Sequence, residues 1–289
     1  MMRHYICLQG GLGNQLYILG YAFYLQEQGC KNICLFYEQK QNGDTVDTQK
    51  RNIIDDLPKE LGFKSLYISS LWLKVLRNLC KLPMISKLVD YYEEPTEEWA
   101  VFTPFSPLRK KRVSVHIGYY QSFYYQTPLF IERLKRFFFK NVLLERFSPV
   151  ENDAAIHIRR GDFLTGVNTM IYSEIGVKYY LEGLEKLNRE QGIGKIYVFS
   201  DDFQAITNDI EEISKIYTVE LMQGNSVLQD IRMLMCFKRY VLGNSTFAWW
   251  GAKLSEKQNP IVVVPATPWK INLKKEVTPY PKDWILLEN

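Results

Sequence analysis

The residues of this 289-residue chain best equipped for chemistry are Ala155 to Phe163, AIHIRRGDF, where an apolar, strand-like run ends in a histidine, two adjacent arginines and an aspartate. Guanidinium groups stay charged at any physiological pH and hold their donors in a rigid fork that matches phosphate or carboxylate oxygens two at a time. Two of them at one strand end, Arg159 and Arg160, require an anion, and a diphosphate is the natural guest. The competing reading is an ion pair of either arginine with Asp162 or a neighbouring acid.

Three further polar clusters follow apolar runs in the same way. After Tyr5 to Leu8 comes Gly10-Gly11-Leu12-Gly13-Asn14-Gln15. Gly11 and Gly13 let the backbone turn sharply and approach a ligand, and Asn14 and Gln15 offer amide donors at the start of the next helix. Alone this is a weak nucleotide signal, being neither GxGxxG nor a P-loop. Ser200 and Asp201 end a second run and serve either a ligand or the cap of a following helix. Asn244, Ser245, Thr246 and Phe247 end a third, where hydroxyls open a helix and either cap it or complete an anion pocket. Two arginines and such a helix start would neutralise and orient a diphosphate in place of Mg²⁺, so neither a metal nor another cofactor is expected.

These clusters need a scaffold that brings strand ends together, and the chain reads as one. Tyr5–Leu8, a helix over Leu16–Gln28 and a strand over Lys31–Tyr37 make a βαβ opening, which implies a parallel sheet. From about Gln39 to Arg112 the pattern is irregular, with loops and short helices expected. Val113–Gly118 alternates like a strand. The aromatic cluster after it, Tyr119, Tyr120, Phe123, Tyr124 and Tyr125, either stacks on sugar rings or staples a loop to the core. A helix follows over Ile131–Phe139.

From Asp153 strands and helices alternate: strand Ala154–Ile158, helix Val177–Arg189, strand Lys195–Ser200, helix Phe203–Ile210, strand Thr218–Leu221, helix Ser226–Phe237, strand Tyr240–Leu242, helix Ala248–Leu254 and strand Ile261–Val264. That order predicts a doubly wound sheet with ligands at the carboxyl ends of its strands. The fold class is therefore α/β, in two halves over 1–150 and 151–289 that meet near Phe147–Asp153.

Composition narrows the function classes. A hydrophobic fraction of 46% supports a sizeable core, and a net charge of +4 is too mild to argue for nucleic acid. Five scattered cysteines without a CxxC pair suggest neither a disulfide framework nor a zinc site. The start, MMRHYICLQGG, is too short for a signal or anchor, and a reducing cytoplasm is the expected compartment. Leu71–Val89 alternates Leu, Trp and Val with Lys74, Arg77, Lys81 and Lys87, with Pro83 breaking it. It reads either as a helix packed on the core or as one lying on an anionic membrane surface. The basic run Arg109–Arg112 reads as a solvated loop or as part of the same surface.

GGLGNQ, HIRRGDF and LGNSTFAWWGA, in this order and spacing, resemble glycosyltransferase family 11, the α-1,2-fucosyltransferases, in its bacterial form. The middle motif is shared with α-1,6- and protein O-fucosyltransferases, so it marks the GDP-fucose donor more surely than the acceptor. The resemblance implies a GT-B-like fold, two Rossmann-like domains facing a cleft, the first on the acceptor side and the second binding GDP-fucose. It implies inverting, metal-independent transfer to the 2-OH of a galactose on an oligosaccharide such as an O-antigen unit.

It also implies roles for single residues. His157 contacts guanine, Arg159 grips the β-phosphate and Arg160 supports it. Asp230, fifteen residues before Ser245, contacts guanine. Ser245, Thr246 and Phe247 line the phosphates, and Asn14 approaches the donor sugar and diphosphate, with Arg159 and Asn14 counted in the catalytic group. Asp162 is the nearest candidate for the general base, because Val167 stands where the α-1,6 relatives carry their glutamate. A fucosyltransferase of another linkage, a silent sugar-nucleotide or glycan binder, and a basic nucleic-acid binder are the alternatives. The last would need a clustered basic face with interleaved aromatics.

Overall fold

In a computed structural model, which describes residues 2–39, 56–106, 112–145, 147–161, 168–271, 277 and 279–289, the chain forms two α/β units, each built on a parallel sheet. The first comprises residues 1–134 and 273–281, the second 135–272 and 282–289. The division thus falls inside a helix, earlier than the expected 147–153, and a late segment returns to the first unit.

The first unit holds β1 (Arg3–Leu8), α1 (Leu12–Glu27), β2 (Ile33–Gln39), α2 (Asp56–Glu60), β3 (Lys64–Ser69), α3 (Ser70–Leu79), α4 (Pro83–Ser86), β4 (Val89–Glu93) and β5 (Val113–Ile117). Its sheet runs β3-β2-β1-β5-β4, with every pair parallel. Alternate residues of each strand serve opposite faces. Cys7, Val115 and Ile117 pack with Phe36 beneath Leu73 and Leu76 of α3. On the other face, His4 Nδ1 and His116 Nε2 lie 3.1 Å apart, and Tyr21 of α1 reaches His116 Nδ1 at 3.1 Å. β3 and β4 were not expected from the sequence. Both are edge strands with mostly exposed or half-exposed side chains, so they lack the apolar run that marks a central strand.

Helix α5 (Pro128–Asn141) carries the chain into the second unit. There follow β6 (Ala154–Ile158), α6 (Asn168–Ile171), α7 (Val177–Gln191), β7 (Ile196–Ser200), α8 (Thr207–Ser214), β8 (Val219–Leu221), α9 (Val227–Leu234), β9 (Arg239–Leu242), α10 (Thr246–Lys253), β10 (Ile261–Pro265) and β11 (Ile285–Leu287). The sheet order is β11-β10-β9-β6-β7-β8, again all parallel. All five residues of β6 are buried, as befits a central strand covered on both faces. Ile156 and Val198 join the core with Tyr179, Tyr180 and Leu184 of α7. Helix α9 opens with a capping box, Ser226 accepting from the Gln229 backbone while the Gln229 side chain accepts from the Ser226 backbone.

Of the aromatic cluster, Tyr120 and Tyr125 are stapled into the first unit. Tyr120 stacks on Tyr21 at 3.8 Å, and the Tyr125 hydroxyl donates to the Thr103 carbonyl. Tyr124 stays exposed.

Candidate functional site

The second sheet places β9, β6 and β7 side by side and parallel, so their carboxyl ends meet on one edge. From β6 the chain runs into Arg159-Arg160-Gly161, from β7 into Asp201, and from β9 into Gly243-Asn244-Ser245. The site is assembled by register: Ile158 pairs with Ser200 and His157 with Leu242.

Asp201 organises the arginine turn. Its Oδ1 accepts from the Arg160 backbone at 3.0 Å, and its Oδ2 lies 3.2 Å from Arg159 Nε. The carboxylate sits directly against the Gly161 Cα, where any Cβ would collide with it. That is why a glycine follows the two arginines. Arg160 is buried, and its guanidinium pairs with Asp209 of α8 at 2.8 Å while also donating to the Arg159 carbonyl. The ion-pair reading therefore holds for both arginines, Arg159 with Asp201 and the more deeply buried Arg160 with Asp209. Burial raises the Asp209 carboxyl above its usual range, against the pull of Arg160.

His157 is buried, and its Nδ1 has no hydrogen-bond partner among the described residues. Desolvation, helped by the Arg159 charge, holds its pKa down at about 3, so the imidazole is neutral at working pH. Its ring centroid lies 5.9 Å from that of Phe247 in the first turn of α10. Ser245 caps α10, accepting from the Ala248 N–H at 3.4 Å, and Thr246 follows it, partly exposed. Asp230 sits in the first turn of α9, where its Oδ1 accepts from Asn225 and burial lifts its pKa to about 6.

Two residues expected to meet a ligand are occupied by the fold. The Ser200 hydroxyl donates to the Ile158 carbonyl at 2.8 Å and accepts from the Asp202 N–H. Neither Ser200 nor Asp201 caps a helix: α8 begins at Thr207, not Phe203, and the intervening turn is held by Asp202 accepting from Ala205. Asn244 donates to the carbonyls of Ser173 and Pro268, at 2.8 and 3.1 Å, and so ties two loops together.

Those loops enclose a cavity of about 250 Å³. Arg159, Arg160 and Lys270 bring positive charge to its wall, Ser173, Tyr172 and Asn244 bring polar groups, and Glu174 brings a carboxylate. The volume is below the roughly 300–1,000 Å³ of complete small-molecule sites, so it suits one anionic part of a larger ligand. Lys270, whose Nζ donates to the Thr169 carbonyl, and Glu174 lie in no motif and were missed from the sequence. Asp162 lies outside the described residues.

The glycine loop belongs to the first unit. Helix α1 begins at Leu12 rather than Leu16, without a side-chain cap, so Gly13, Asn14 and Gln15 are already in its first turn. Gln15 is buried, and its amide donates to the Gly10 carbonyl at 2.9 Å, which assigns it to holding the loop. Asn14 Oδ1 accepts from Gln121 at 3.0 Å. Gly10 has φ +76°, which only glycine adopts freely, whereas a Cβ placed on Gly11 would meet no atom within 4 Å among the described residues beyond its chain neighbours. Near this loop, Glu94 Oε2 accepts from the backbones of Tyr119 and Tyr120, and burial raises its pKa to about 7.

Comparison with known proteins adds to this geometry. The model of glycosyl transferase family 11 matches residues 108–288. An alpha-1,2-colitosyltransferase of Escherichia coli is 27% identical over 97% of each chain. An Escherichia coli O-antigen biosynthesis glycosyltransferase is 25% identical, covering 95% of this chain and 97% of its own. Among solved structures, a glycosyl transferase family 9 protein of Veillonella parvula is 11% identical with a TM-score of 0.49, covering 100% of this chain and 86% of its own.

Proposed function

The chain belongs to glycosyl transferase family 11, and from that premise we propose that it moves L-fucose from GDP-β-L-fucose to the 2-OH of a galactose residue. The observation that carries this reading is the cationic cavity lined by Arg159 and Arg160 after β6, Asn244 after β9, and Lys270. Arg159 and Lys270 would hold the β-phosphate, and neutral His157 would meet guanine through a ring nitrogen. Ser245, Thr246 and Phe247 would lie along the phosphates at the start of α10, where backbone donors favour anions.

Transfer breaks the fucose C1–O bond to phosphate and forms a bond from C1 to the acceptor oxygen on the opposite face, which inverts the centre. Negative charge develops on the departing GDP, so cations fixed at its β-phosphate stabilise the transition state more than the ground state. Arg159 and Lys270 would supply that charge, and the proposed reaction is independent of metal. A base takes the acceptor hydroxyl proton; Asp162 is proposed, with Glu174, the cavity carboxylate, as the other candidate. Asn14 of the glycine loop is proposed to approach the donor sugar.

The colitosyltransferase relative favours one alternative donor. Colitose is L-fucose without its 3-OH, so a site for one sugar needs little change to take the other. The test offers GDP-fucose and GDP-colitose with a panel of β-galactosides in EDTA. An α-1,2-linked fucoside that survives EDTA and collapses in Arg159→Ala is the expected result. Turnover of GDP-colitose alone would establish the alternative, and failure of both donors would overturn the reading.

A further inference from the structure

In a sheet covered on both faces, the helix on each face turns its apolar side inward and its polar side to water. Helix α3 departs from that rule. It leaves edge strand β3 and packs Leu73 and Leu76 on the sheet face formed by Cys7, Phe36, Val115 and Ile117; α4 and β4 follow. Its outward side is apolar as well: Leu71, Val75 and Leu79 recur at intervals of four, with Trp72 beside them, and all four are exposed. The surface continues through Leu82, Met84 and Leu88, also exposed, with Trp72 at 67% and Met84 at 82%. Single exposed apolar residues need no explanation, but seven within nineteen residues mark an interaction surface.

Charge says what the surface meets. Residues 70–88 contain Lys74, Arg77, Lys81 and Lys87 and no Asp or Glu. Arg77 is taken up by Glu93 at 2.6 Å, while the three lysines are exposed. Lysines beside exposed leucines, a tryptophan and a methionine match the boundary of an anionic bilayer, where aliphatic stems lie along the acyl layer and ammonium groups reach the headgroups. Among the described residues no helix is long and apolar enough to cross a membrane, so contact would be in the plane of the surface. We propose that α3, α4 and the turn between them dock the first unit onto an anionic lipid surface. The proposal goes beyond the transfer reaction and does not depend on which donor is used.

The test uses the full chain with vesicles of phosphatidylcholine alone or mixed with phosphatidylglycerol. Sedimentation should show binding to the mixed vesicles only, weakening as salt is raised. Each lysine near an anionic surface contributes about fivefold, so Lys74→Glu, Lys81→Glu and Lys87→Glu together should lower partitioning at least a hundredfold. Leu79→Gln with Met84→Gln should lower it about tenfold or more. Quenching of tryptophan fluorescence by brominated lipid should fall in Trp72→Phe. An unchanged unfolding midpoint shows that each variant is folded. Equal binding to both vesicle types, no binding, or quenching unchanged in Trp72→Phe would overturn the proposal. So would self-association of the wild type that the leucine and methionine variants abolish, because the face would then meet a second copy.

Discussion

The neighbours Arg159 and Arg160 should fail in different ways when removed. Arg160 pairs with Asp209 at 2.8 Å, with side chains only 9% and 16% exposed. Arg160→Ala strands a half-buried carboxylate, and breaking such a pair costs about 3–5 kcal/mol. Solvent reaching Asp209 favours the lower end, about 3 kcal/mol, or a fall of roughly 6–12 °C in melting temperature. Burial already raises Asp209, and losing Arg160 raises it further. A carboxyl raised in the folded state binds its proton more tightly there than in the unfolded chain. The deficit of Arg160→Ala should therefore shrink as pH is lowered, and adding Asp209→Asn should recover at least about 1 kcal/mol.

Arg159 is more open, at 23% with Asp201 at 24%, so Arg159→Ala should cost about 1 kcal/mol of stability. It removes the cation proposed for the β-phosphate, and turnover should fall about 10²- to 10³-fold. Thermal melts at several pH values and initial rates below the melting range separate the two. If Arg160→Ala melts like the wild type yet loses as much rate as Arg159→Ala, the division of labour drawn from the ion pairs is wrong.

Other outcomes follow from the same geometry. Lys270→Ala should raise the donor KM about tenfold or more with little change in melting temperature, read from initial rates. Asn244→Ala removes donors to the Ser173 and Pro268 carbonyls, and calorimetry should show a loss of about 1–3 kcal/mol. His157, with a folded pKa of about 3 against 6.5 unfolded, makes the unfolded chain bind more protons as pH falls below 6.5. Stability should drop by about 3 kcal/mol between pH 6.5 and pH 4, and less in His157→Gln. Glu94, raised to about 7, works in the opposite sense: stability should fall by about 2–3 kcal/mol as pH rises from 4.5 to 7, a slope that Glu94→Gln removes.

The central strands were legible because burial on both faces leaves a continuous apolar signature: β6 was read at its observed bounds, Ala154–Ile158. Edge strands β3 and β4 carry no such run. The start of α1 was hidden because a helix buried on nearly every side has little 3.6-residue contrast, and its first turn contains Gly13 and no capping side chain. The motifs located the Arg159 turn, but not Asp209, which lies 49 residues from Arg160 and meets it only when α8 packs against α7 and β8. Lys270 and Glu174 enter the cavity through loops that Asn244 holds, and nothing in their local sequence distinguishes them from surface charge.

The most direct measurement is calorimetric titration of the full chain with GDP, in EDTA, for the wild type and Arg159→Ala. The expected result is saturable binding by the wild type without added metal and affinity weaker by about tenfold or more in the variant. Equal affinity in both, with the variant's melting temperature unchanged, would mean that the nucleotide diphosphate binds elsewhere.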